Sequence, residues 1–149
     1  MNTSIWPFPD SARWLAAYPA PGTAVKVSDN TAKMKALQDG LVKVFHGVKT
    51  LEYDLALHSD NRAAMLLTLK AMHPQIGAGV EAQVDAAPDD AAKAKALFSG
   101  MFERDQNNVQ KGRFGQSLAQ VLAEGAACTV PDYILDAIKH ACQPVDAKP

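Results

Sequence analysis

The side chains in this sequence with the most chemistry to offer are His46, His58, His73 and His140, the thiols of Cys128 and Cys142, and the carboxylates of Asp54, Asp89 and Asp90. A zinc site would need histidines or cysteines at tight helical or knuckle spacing. None of the four histidines stands in an HExxH pattern, and no CxxC accompanies them. Asp54 and His58 are four residues apart, on one side of a helix, where a protonated imidazole near the helix C-terminus makes an ion pair the expected relationship. Asp89 and Asp90 follow Pro88 at a predicted helix start, so capping accounts for them.

Other catalytic signatures are missing. The chain has no GxSxG and no GxxxxGK[ST], and the GAG at 77–79 is not a dinucleotide fingerprint. No catalytic residue, metal or cofactor is therefore expected, and an enzyme is not the expected class. The loop Gln110–Gly115, QKGRFG, offers Lys111 and Arg113 between glycines to an anion, although a flexible helix start explains the same residues.

The cysteines are expected to be buried free thiols. With a helix from about Pro131 to Cys142, the chain separates the pair by about 16 Å, well beyond disulfide reach. That agrees with a reducing compartment.

The elements that must position these groups read as helical. Met34, Leu37, Leu41, Val44, Val48, Leu51 and Leu55 recur at alternating steps of three and four, which predicts one long amphipathic helix over Asn30–Leu57, with His58 at the next seam position. Gly40 and Gly47 lie on one flank of it, seven residues apart, and invite close approach by a neighbouring helix. Lys35, Lys43 and Lys49 fall on its outer face. A second helix over Asn61–Met72, apolar on most sides, is expected to be the buried centre and to form an antiparallel hairpin with the first.

Further helices are predicted from about Val80, from Pro88 to Gln106, from Val109 or Phe114 to Gly125, and from Pro131 to Ala141. The last has Thr129–Asp132 as a capping box and Ile134, Leu135 and Ile138 turned inward. Near the N-terminus, prolines at 7 and 9 make residues 1–9 an extended arm carrying Trp6 and Phe8. A short helix with Trp14 follows from Ser11 to Tyr18, then an extended stretch over 23–27. Residues 143–149 are a tail.

The expected architecture is thus all-α: a single-domain bundle of five or six helices over residues 1–149 with one long central amphipathic helix. The 149 residues are 48% hydrophobic and 21% charged with a formal net charge of −1, which is ordinary for a folded domain and gives no electrostatic footprint for nucleic acid or a membrane surface. No apolar run is long enough to span a bilayer and none resembles a signal peptide, so a cytoplasmic protein is expected.

Two function classes follow. The first is an adaptor, regulator, inhibitor or small subunit that binds a protein partner or its own copy through Trp6, Phe8, Trp14 and the face marked by Gly40 and Gly47. The alternative is a small-molecule or tetrapyrrole binder, with a pocket near His58, Met72 and His73.

Overall fold

The computed structural model describes residues 18, 19 and 29–144. The arm with Trp6 and Phe8, the helix with Trp14, the extended stretch over 23–27 and residues 145–149 of the tail lie outside the described residues. Among those described, the chain forms seven α-helices and no strand: α1 Asp29–Lys35, α2 Leu51–Ala56, α3 Ser59–Met72, α4 Pro74–Ala86, α5 Asp90–Phe102, α6 Lys111–Ala123 and α7 Asp132–Ala141. The all-helical fold is as the periodicity predicts. No helix among the described residues is long and apolar enough to cross a membrane.

The organising element is α3, which packs against α2, α4, α5 and α6. Asn61, Arg62, Ala64, Met65, Leu66, Thr68 and Leu69 are all buried along it, so burial covers more than one stripe, as expected of a central helix. Its polar members are satisfied. Thr68 Oγ1 donates to the Ala64 carbonyl at 2.8 Å. Arg62 Nη1 donates to the carbonyls of Ala56 and Leu57, both at 2.9 Å, and its Nη2 to Asp90. These bonds tie the α2–α3 turn to the start of α5.

Proline at the first position of α4 needs no N–H partner, so the chain turns at His73 and re-enters a helix at once. The helix predicted from about Val80 thereby starts earlier, at Pro74, and takes in Gly77 and Gly79. Gly77 supplies the close approach: a Cβ there would stand 2.8 Å from the Lys70 backbone. Asp89 caps α5 by accepting from the Ala92 N–H at 2.8 Å. Tyr53, Phe98, Phe102 and Phe114 then chain together through edge-on and tilted ring contacts from α2 to α6, within one buried apolar cluster.

The long central helix does not form as one piece. Only Asp29–Lys35 and Leu51–Ala56 are helical, and the intervening chain is irregular. Side chains offer the backbone other partners there. The Asp39 carboxylate accepts from the N–H groups of Leu41 and Val42, both at 2.7 Å, and the Val42 carbonyl accepts from Asp39 N–H at 3.0 Å, closing a turn at Gly40. Gln38 Oε1 takes the Val44 N–H at 3.0 Å. The Asp54 carboxylate takes those of Val48 and Lys49. Thr50 caps α2.

Four smaller expectations are corrected with it. Lys49 is buried rather than on an outer face: its ammonium pairs with Glu103 at 3.1 Å and lies 3.9 Å from the centre of the Tyr18 ring. The capping box at Thr129 is absent, because the Thr129 backbone is engaged by Asn61 instead. Leu135 and Ile138 on α7 are exposed, not inward. Cys128 and Cys142 are free, as expected, but exposed.

Candidate functional site

His58 and His73 do not share a pocket. His58 is the residue before α3 and His73 the residue after it, and fifteen helical steps separate them by roughly 22 Å. Each contributes to a different cleft.

His58 lines a cleft of about 380 Å³ with His46, Gly47, Asp54, Pro131 and Tyr133. Asp54 is its chemical centre, only 4% exposed. Its oxygens accept from Val48 N–H at 3.1 and 3.2 Å and from Lys49 N–H at 3.3 Å. Burial pushes its carboxyl above the usual aspartate range, although these N–H groups and nearby His46 pull the other way. The ion pair expected between Asp54 and His58 is not formed among the described residues, and both His46 and His58 line the cleft beside Asp54. His46 Nδ1 donates to the Gly47 carbonyl at 3.0 Å, and Nε2 accepts from Lys35 Nζ at 3.5 Å. Burial and the Asp54 charge also push the Tyr133 phenol up. With its oxygens committed to backbone N–H groups, Asp54 holds a loop together; it is not free to act as a base.

Met72 and His73 line the second cleft, of about 660 Å³, between α4 and the connection from α5 to α6. Arg104 reaches it from that connection, Arg113 from the first turn of α6, and Gln75 and Gln83 from α4. The connection is well held. Asn107 takes a left-handed backbone, φ 58°, while Asn108 accepts from Arg104 N–H and donates to the Arg104 carbonyl, both at 2.8 Å. Arg113 belongs to the QKGRFG stretch; Arg104 carried no sequence signal, because the turn at Asn107 brings it alongside.

Among the described residues no group of three histidine, cysteine or acidic side chains is placed to hold a metal ion. His140 lies apart from both clefts, its ring 5.8 Å from that of Phe45.

A third feature is a surface. Met34, Leu37, Leu41 and Val42, within nine residues of one another, are 53%, 65%, 69% and 49% exposed. Four large apolar side chains so close together depart from the scattered exposure usual on a protein surface. Gly40 stands exposed in the same turn. At Gly47 the space beside the backbone is filled by the Asp54 carboxylate and by the ring of Tyr133 from α7. Trp6, Phe8 and Trp14 lie outside the described residues.

No protein-family model matches the chain, and no curated protein or solved structure matches it either.

Proposed function

We propose that this protein acts by binding a protein partner through the surface formed by Met34 on α1 and by Leu37, Leu41 and Val42 on the chain that follows it. The observation that supports the reading is the exposure of these four side chains, the last two on a turn fixed by Asp39. Fully burying a leucine or methionine is worth about 1.5–3 kcal/mol, so covering four half-exposed ones supplies a meaningful part of a binding free energy. The rim suggests the partner's character. Lys33, Lys35 and Lys43 flank these apolar residues in sequence and are exposed, and the Asp39 carboxylate is committed to two backbone N–H groups. A partner with an apolar face and an acidic rim is the complement.

Native mass spectrometry on protein purified gently from its own cells tests the reading. The wild type should carry a second polypeptide that the double variant Leu37→Asp, Leu41→Asp has lost, while both give the same helical circular dichroism. A homodimer mass abolished by the same variant would make the partner a second copy of this chain. A bare monomer in both preparations would count against the proposal.

A further inference from the structure

The cleft between α4 and the α5–α6 connection carries a second inference, independent of the apolar turn. We propose that it binds a phosphate-bearing small molecule of roughly nucleotide size.

The first argument is charge. Lys49, Arg62, Lys70, Lys111 and Lys139 each have a carboxylate within ion-pair distance, while Lys33, Lys35, Lys43, Lys93 and Lys95 have none among the described residues but line no part of this cleft. Arg104 and Arg113 have none among the described residues, although both line the same cleft. Arg104 instead donates to neutral carbonyls, from Nε to Gln106 at 3.4 Å and from Nη1 to Gly100 at 3.3 Å. No acidic residue lines this cleft. Of the two acidic residues beside Arg104 in sequence, Glu103 has its carboxylate turned away to Lys49 and to the Tyr18 hydroxyl at 2.6 Å, and Asp105 is exposed, lies outside this cleft and makes no ion pair with Arg104. Two guanidinium groups and the imidazole of His73 therefore face a concave space with no counter-charge. Arginine's planar fork of donors suits a phosphate.

The second argument is size and lining. A volume of about 660 Å³ falls in the usual range for small-molecule sites and far exceeds what a bare phosphate ion fills. Met72, Ile76 and Val80 supply an apolar floor, and the amides of Gln75, Gln83 and Gln110 can both donate and accept. Such a lining suits the polar ring body of a nucleotide or sugar attached to the phosphate. The third argument is preorganisation. Asn107 takes the left-handed backbone that asparagine tolerates, and it does so in the loop that presents Arg104 and is fastened by the paired Asn108 bonds.

The test is a titration followed by amide correlation spectra of the full chain, with AMP and glucose 6-phosphate as probes and adenosine and glucose as their phosphate-free controls. At least one phosphorylated probe should move the amides of Gly79, Arg104 and Asn107 to Arg113 saturably, and its control should not. Arg113 is exposed and makes no ion pair, so Arg113→Ala should leave the rest of the spectrum in place while weakening the probe about tenfold. Arg104→Lys, which keeps the charge but loses the fork, should also weaken it. The proposal is overturned if neither phosphorylated probe produces saturable shifts up to about 10 mM, if adenosine or glucose matches its phosphate, or if Arg113→Ala binds as the wild type does. An oligonucleotide that moves these amides when neither small probe does would also overturn it, assigning the cleft to nucleic acid.

Discussion

The Asp54 carboxylate occupies the space that a side chain at Gly47 would need, and the Tyr133 ring closes the other side. One residue without a Cβ thus lets a buried carboxylate reach the N–H groups of Val48 and Lys49 and lets α7 lean on the chain just before α2. Replacing Gly47 by Ala should cost about 3 kcal/mol through forced displacement of packed neighbours. The contrast is Gly115, inside α6 with nothing within 4 Å of its would-be Cβ, where Ala should add about 1 kcal/mol of stability. Urea unfolding of the two variants beside the wild type checks both signs.

The same carboxylate makes stability depend on pH in a direction opposite to that of a salt-bridged aspartate. Burial holds the Asp54 carboxyl above its ordinary 3.8 in the folded chain, so the folded state keeps this proton when the unfolded state has released it. Its contribution is full below 3.8 and is lost as pH rises through the higher folded value. The Asp54→Asn variant, which keeps one carbonyl acceptor, lacks this loss. Plotted against pH, wild-type stability should fall relative to the variant as pH rises above 3.8 and run parallel to it once the folded carboxyl has lost its proton. Parallel curves throughout would show that Asp54 is not held protonated by burial.

Asn61 should control how firmly α7 is attached. Its amide donates to the Thr129 carbonyl at 2.7 Å and accepts the Thr129 N–H at 2.8 Å, a two-bond clasp from the central helix to the chain leading into α7. No residue of α7 is itself buried, and α7 is not among the helices that pack closely on one another. Asn61→Ala should cost about 1–3 kcal/mol, with the amides of α7 exchanging with solvent faster than those of α4 and α5. Uniform acceleration across all helices would place the clasp in the global core instead.

Much of the architecture was legible because it rests on local signals. The apolar density of Asn61–Met72 marks the central helix, Pro88 with Asp89 and Asp90 marks the start of α5, and Phe114, Leu118, Val121 and Leu122 mark the inner face of α6. The failure is instructive. The seam from Met34 to Leu55 has a sound helical period, yet Asp39, Gln38, Asp54 and Thr50 each give the backbone a side-chain partner, and these competing bonds leave Leu37 and Leu41 outside. Periodicity counts apolar positions and is blind to such partners. The clefts were less legible still. The helix predicted between His58 and His73 already sets them at its opposite ends, too far apart for one pocket, whereas the grouping of His73 with Arg104 and Arg113 depends on a left-handed turn at Asn107 that no spacing rule announces.

The central claim is that the turn at Asp39 is a protein-binding surface, and site-specific photo-crosslinking tests it most directly. A photoreactive phenylalanine derivative replacing Leu41, expressed in the protein's own cells, should capture one polypeptide in a discrete adduct. The same group replacing Gln120, exposed on α6, should capture none. Equal capture at both positions, or no adduct at position 41, would contradict the account.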